Sequence, residues 1–209
     1  MKIKICGITN INDALTATRH GATYLGLILY PKSPRYVAPK AIYEIIQKLD
    51  SKINTVGVFV DESPEKINQV VTETGLTYVQ LHGKESVKDC KKINVPVIKA
   101  FRIATAKDLD VIPAYKNNVH SILLDTYVKG HPGGTGQTFN WNLAVMAKQF
   151  DIPLFLSGGL TPDTVQDAIR KVQPNGVDVS SGVEVSPGQK DNQKIMTFIY
   201  GCQKHQQNL

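Results

Sequence analysis

With 209 residues, 42% of them hydrophobic and 20% charged, the chain has the composition of a folded globular protein, which excludes wholesale disorder. Twenty-four lysines and arginines against eighteen acidic residues leave a formal charge of +6, but the basic residues are scattered, which suits anionic small ligands better than nucleic acid. No stretch approaches the roughly 18 apolar residues of a membrane span, and lysines interrupt the N-terminal run Met1-Lys2-Ile3-Lys4-Ile5-Cys6-Gly7 where a secretory signal is continuous, so a cytoplasmic protein without a membrane partner is expected.

In chain order, short apolar runs predict strands at 2–6, 23–27, 54–59, 78–82, 96–100, 121–125, 153–157 and 176–180. Amphipathic stretches predict helices at 12–20, 39–49, 64–72, 141–150, 162–171 and 192–203. Eight units of about 26 residues approach the minimal length of a βαβ element. Alternating elements imply a parallel sheet, and eight repeats are the number that closes a barrel. The expected fold is therefore α/β: a single-domain (β/α)8 TIM barrel with parallel strands spanning 1–209. The rival, an open doubly wound sheet, would carry G-x-G-x-x-G after its first strand. Here that turn reads Cys6-Gly7-Ile8-Thr9-Asn10, without the fingerprint.

Strand parity assigns directions to side chains. Ile3 and Ile5 share the face toward the outer helices, so Lys2, Lys4 and Cys6 point into the barrel. By the same rule Asp125, His82, Asp178 and Ser180 point inward, all at or near strand C-termini, where barrel active sites are built. Three glycine turns follow strands six, seven and eight: Gly133-Gly134-Thr135-Gly136, Ser157-Gly158-Gly159-Leu160 and Ser180-Ser181-Gly182. Each permits a tight turn. Those after strands seven and eight also match the recurrent phosphate position of this architecture, and a short helix after strand eight would add its positive end.

Three cysteines, Cys6, Cys90 and Cys202, are too few and too far apart for a disulfide framework or a CxxC metal site. A buried cysteine is commonly an inert small hydrophobe, but a thiol at the end of strand one, near Lys4, can also ionise and remove a proton. Asp125 from strand six can be its counterpart, or a helix cap or surface ion pair. Arg35, in a loop held by Pro31 and Pro34, can clamp a carboxylate or simply face solvent. His82 can bind substrate or serve structure. Asp178 can bond sugar hydroxyls or neutralise Lys4, and the sequence does not separate the two. No ligand set for a metal falls at the strand ends.

Lys4-Ile5-Cys6-Gly7-Ile8-Thr9, Ser33-Pro34-Arg35, Gln80-Leu81-His82-Gly83, Leu123-Leu124-Asp125 and the three glycine turns, through Gly176-Val177-Asp178-Val179-Ser180-Ser181-Gly182-Val183-Glu184, resemble the phosphoribosylanthranilate isomerases along nearly the whole chain. Small departures are Ser157, where that family often has alanine, and Asn140, where an aspartate often precedes the tryptophan. The resemblance implies a cofactor-free, metal-free barrel that performs the Amadori rearrangement of N-(5'-phosphoribosyl)anthranilate in tryptophan synthesis. It implies Cys6 as general base and Asp125 as general acid, with Arg35, His82, Gly134 and Asp178 binding substrate. Gly158, Gly159, Ser181 and Gly182 would hold the phosphate. The expected partner is a small phosphorylated molecule, and the protein a monomer or homodimer. Rival barrels fit less well: an epimerase should show metal ligands, and an indole-forming synthase a catalytic lysine and glutamate at strand ends. A noncatalytic polynucleotide binder would leave Cys6 and Asp125 without a role.

Overall fold

Alternation of aliphatic and polar residues along the first strand gives it one apolar and one polar face, and a closed barrel wrapped in helices serves both, with Ile3 and Ile5 against the helices and Lys4 and Cys6 inside. The computed structural model describes residues 1–125 and 141–204. Eight parallel strands, β1 (Lys2–Cys6), β2 (Tyr24–Ile28), β3 (Asn54–Phe59), β4 (Tyr78–Leu81), β5 (Val97–Arg102), β6 (Ser121–Asp125), β7 (Leu154–Leu156) and β8 (Gly176–Val179), pair in sequence order. The last strand closes on the first, with Lys4 opposite Asp178 and Ile5 opposite Val179.

Outside lie α1 (Ile11–His20), α2 (Pro39–Ile46), α3 (Pro64–Thr74), α4 (Val87–Cys90), α5 (Trp141–Ala147), α6 (Val165–Val172) and α7 (Asn192–Lys204). Their starts follow capping chemistry: the Asn10 side chain accepts from Asp13 N at α1, and Ser63 followed by Pro64 opens α3. The connections on which no helical period is legible carry only the one-turn α4 and two 3₁₀ turns, Ala106–Leu109 and Ile112–Tyr115. After β8 the chain makes a three-residue 3₁₀ turn, Ser181–Val183, in place of the expected short helix. Such a turn aligns too few peptide dipoles for a macrodipole, so any anion there meets individual N–H groups. A hairpin of β9 (Glu184–Ser186) and β10 (Gln189–Lys190), which no apolar run predicts, follows it.

Two apolar bodies result. An outer shell packs strand residues such as Ile3, Ile5 and Val177 against the helices. An inner plug of Tyr24, Val56, Ile98, Ala100, Leu123 and Phe155 fills the barrel. Its aromatic rings meet edge-on, Tyr24 lying 5.3 Å from Tyr78 and 5.4 Å from Phe155. The plug closes the lower barrel, so the inward positions at the strand C-termini are left to polar groups.

Candidate active site

Lys4, in the middle of β1, is entirely buried, and its Nζ lies 2.8 Å from Asp178 Oδ1 across the closing seam. Ser157 Oγ donates to the other carboxylate oxygen at 2.9 Å. Burial works against the Lys4 ammonium, but Asp178 and the Cys6 thiol outweigh it and raise its pKa. For Cys6 the order is reversed: burial pushes the thiol up more than Lys4 pulls it down, Asp178 adds to the rise and Lys190 opposes it. The thiol therefore titrates above its ordinary range, held in reach by the neighbouring ammonium groups. Gly26 on β2 makes the room, since a β-carbon there would stand 2.6 Å from Cys6 Sγ and 3.0 Å from Lys4 Nζ.

Across the barrel, Gln80 Nε2 donates to His82 Nδ1 at 3.1 Å. With Gln80 so oriented, the His82 proton belongs on Nε2. That nitrogen lies 3.3 Å from Asp125 Oδ2, yet it is buried without a hydrogen-bond partner among the described residues. Distance permits an ion pair while alignment denies a hydrogen bond, and alignment decides the strength of such a contact. His82 thus faces the carboxylate with its N–H uncommitted. Gln80 Oε1 and Ser121 Oγ, below it, are likewise buried and unpartnered.

The Arg35 guanidinium meets a carboxylate of the chain itself. Its Nε and Nη2 donate to Glu184 Oε1 and Oε2 at 2.8 and 2.6 Å, a two-pronged fork. Lys190 Nζ binds the same Glu184 Oε1 at 2.9 Å. Burial opposes the Glu184 charge, but hydrogen bonds from Arg35 and Lys190 outweigh it and hold its pKa below the usual carboxylate range. Burial also lowers Lys190, which lies deeper than its partner. The explicit hydrogen bonds converging on Glu184 make its downward shift the one that describes the pair. Five N–H groups leave Arg35 its outer edge, including Nη1, for another acceptor.

One open cavity of about 260 Å³ gathers these groups. Cys6 and Asp178 line one side, His82 and Asp125 another, and Arg35 the rim. Gly158, Gly159, Ser181 and Gly182 form the remaining wall at the ends of β7 and β8. Gly158 and Gly159 have φ of 85° and 71°, a left-handed pair that turns the chain sharply and that side-chain-bearing residues seldom adopt. Gly134 lies outside the described residues, as do the rest of its turn and Asn140. Of the expected site residues, nine therefore share this cavity.

Strand parity placed Lys4, Cys6, Asp125 and Asp178, but it does not reach Glu184 or Lys190, which stand outside the eight strands. Their pairing was hidden because an i, i+6 spacing across a hairpin has no sequence period. Of the two roles open to Asp178, the neutralisation of Lys4 is made in the structure.

Residues 3–200 match the sequence family of N-(5'-phosphoribosyl)anthranilate (PRA) isomerase. The chain is 47% identical over 199 residues to the N-(5'-phosphoribosyl)anthranilate isomerase of Trichlorobacter lovleyi, covering 95% of this chain and 96% of the relative. It is 49% identical over 198 residues to that of Geotalea uraniireducens, with the same coverage. Among solved structures, phosphoribosyl anthranilate isomerase from Thermotoga maritima superposes with a TM-score of 0.92 at 43% identity, over 98% of this chain and 99% of that one. A phosphoribosyl anthranilate isomerase in complex with reduced 1-(o-carboxyphenylamino)-1-deoxyribulose 5-phosphate superposes with a TM-score of 0.89 at 41% identity, again over 98% and 99%. With a closed eight-stranded barrel and a match along nearly its whole length, the chain belongs to the N-(5'-phosphoribosyl)anthranilate isomerase family.

Proposed function

We propose that this barrel carries out the Amadori rearrangement of N-(5'-phosphoribosyl)anthranilate with Cys6 as general base and Asp125 as general acid. Asp125 protonates the furanose ring oxygen, and the bond from that oxygen to C1' breaks to leave an open-chain Schiff base. The Cys6 thiolate then takes the C2' proton, the electron pair moves into a C1'–C2' enolamine, and tautomerisation gives the ketone. In that tautomerisation C1' gains a proton and the C2' hydroxyl gives one up, so the proton held by Cys6 returns to the substrate, Asp125 recovers the one it lent, and substrate and product are isomers.

Asp125 has to carry its proton into the first step and Cys6 has to shed one before the second. The ammonium of Lys4 favours the thiolate, and the uncommitted His82 N–H, 3.3 Å from Asp125 Oδ2, is left free to meet a substrate oxygen beside the carboxyl. Arg35 takes the anthranilate carboxylate on its outer edge while Glu184 holds the inner one. Backbone N–H groups around Gly158, Gly159, Ser181 and Gly182 take the phosphate, and Gly134, in the sequence that follows β6, binds substrate. His82 and Asp178 contact the ribose. The reading takes residues 1–209 as one domain in the cytoplasm, where a charged phosphoribosyl substrate is retained. The protein is taken as a monomer or a homodimer; among the described residues no helix is long and apolar enough to cross a membrane.

The observation that carries this reading is that Cys6 and Asp125, 119 positions apart in sequence, line one cavity together with the turns after β7 and β8. Freshly made phosphoribosylanthranilate, followed by the loss of its fluorescence, tests it. Cys6→Ala and Asp125→Ala should fold with wild-type circular dichroism and each lose about 10²–10⁴-fold in turnover. Near-normal turnover in either variant removes that residue from the mechanism, and inertness of the well-folded wild type defeats the assignment.

A further inference from the structure

Lys190 takes no part in the rearrangement as assigned, yet its ammonium is fully buried beside the base. All three of its donors are used: Cys6 O at 2.6 Å, Ser180 O at 3.1 Å and Glu184 Oε1 at 2.9 Å. The first is the C-terminal carbonyl of β1, the second lies one residue past the end of β8, and the third acceptor leads to Arg35. The Lys190 main-chain N–H donates to Asp13 Oδ2 at 3.0 Å, which seats the β9–β10 hairpin on the first turn of α1. One cation therefore joins the backbone of Cys6, the phosphate-side turn and the carboxylate that orients Arg35. A buried ion pair is a weak stabiliser compared with a packed apolar group, so barrel closure alone gives little reason for an ammonium here.

We propose that Lys190 is a positioning residue for the reaction: it anchors the Cys6 backbone so that the thiol faces the cavity, places a positive charge behind that thiol, and through Glu184 ties the same anchor to Arg35. Other charges around the thiol are Lys4 from β1, Asp178 from β8 and Arg35 from the loop after β2. Lys4 and Asp178 largely compensate one another at 2.8 Å, as Arg35 and Glu184 do at 2.6 Å. Lys190 shares Glu184 with Arg35, so it leaves uncompensated positive charge at the Cys6 carbonyl. In a poorly solvated site that charge favours the thiolate.

The proposal rests on Cys6 being the base, and its test reads the thiol without substrate. The pH dependence of Cys6 alkylation by iodoacetamide, resolved by peptide mass from Cys90 and Cys202, is compared in wild type, Lys190→Met and Glu184→Gln, with kcat and KM measured on the same samples. Lys190→Met should move the alkylation midpoint up by roughly half a pH unit or more and lower kcat about 10-fold or more. Glu184→Gln should move the midpoint down, because a negative charge is removed, and raise KM as Arg35 loses its orienting fork. A folded Lys190→Met whose alkylation profile overlies that of wild type overturns the proposal, whatever its turnover. If that variant does not fold, the sign in Glu184→Gln decides: a midpoint unchanged or moved upward overturns it. Inertness of the wild type toward phosphoribosylanthranilate would sink the reaction assignment and leave these thiol measurements intact.

Discussion

Two buried lysine–glutamate clamps sit at opposite sides of the same barrel rim. Lys99 Nζ holds Leu81 O at 3.2 Å, Gly83 O at 2.8 Å and Glu85 Oε2 at 2.8 Å. Lys190 Nζ makes the matching set with Cys6 O, Ser180 O and Glu184. Each ammonium spends its three donors on two main-chain carbonyls and one carboxylate, and each ties down a strand end. They differ in where the carboxylate goes next. Glu85 accepts backbone N–H groups, from Asp61 at 2.9 Å and from Gly83 at 3.0 and 2.9 Å, and the cluster ends there. Glu184 continues to Arg35 and the cavity. The same local solution thus serves loop closure at one place and adjoins the chemistry at the other.

The largest expected effect is on the side away from the site. Lys99→Met leaves Glu85 buried without its counter-charge, where both side chains are 3% exposed, and removal of one partner from such a pair costs about 3–5 kcal/mol. In a chain of this size that lowers Tm by on the order of 10 °C. Below the transition, kcat and the Cys6 alkylation profile should stay at wild-type values. A profile displaced as far as that of Lys190→Met would show that the two clamps do not differ in function.

The barrel and its inward polar residues were legible because parallel strands impose a two-residue period and the active end of a barrel is fixed by topology. Three strands, at 2–6, 54–59 and 121–125, have the expected bounds. Elsewhere ends moved by a residue or two, as with β2 at Tyr24–Ile28 and β5 at Val97–Arg102, since pairing rather than apolar content decides where a strand stops. The hairpin after β8 was not legible: Glu184, Lys190 and Asp13 find one another through tertiary contact. Nor was the engagement of Arg35 by Glu184, because a surface-loop arginine announces a carboxylate partner without saying whose. Gly26 reads as an unremarkable strand glycine until the Cys6 thiol is seen occupying the space its side chain would take.

A mid-sized effect separates placement of the thiol from charge around it. Gly26→Ala changes no charge and touches neither Lys190 nor Glu184, but its methyl would stand 2.6 Å from Cys6 Sγ, 3.0 Å from Cys6 Cα and 3.0 Å from Lys4 Nζ, so it presses on the thiol and on the end of the Lys4 side chain while sparing the Lys190 side. Overpacking of this kind costs about 1–3 kcal/mol. The backbone contact prevents relief by rotation of the thiol alone, so Cys6 shifts from its working position. Urea unfolding should register the stability loss, and kcat should fall on the order of 10-fold. Undiminished kcat in the folded variant would show that the reaction tolerates a displaced thiol, leaving charge as the main contribution of the Lys190 side.

The smallest effect belongs to Ser157→Ala. Its hydroxyl donates to Asp178 Oδ2 at 2.9 Å while Lys4 holds Oδ1 at 2.8 Å. Loss of one such hydrogen bond costs about 1 kcal/mol, and the position opens on the cavity, where water can take over as donor. Tm should drop by roughly 2–4 °C and kcat stay within about twofold. The sign at Cys6 is nevertheless defined. A mobile water neutralises Asp178 less steadily than the fixed hydroxyl does, so the carboxylate draws the Lys4 ammonium more strongly and the thiolate receives less compensation; the alkylation midpoint should rise, by less than in Lys190→Met. A rise exceeding that of Lys190→Met would shift control of the thiol from the hairpin lysine to the Lys4–Asp178 seam.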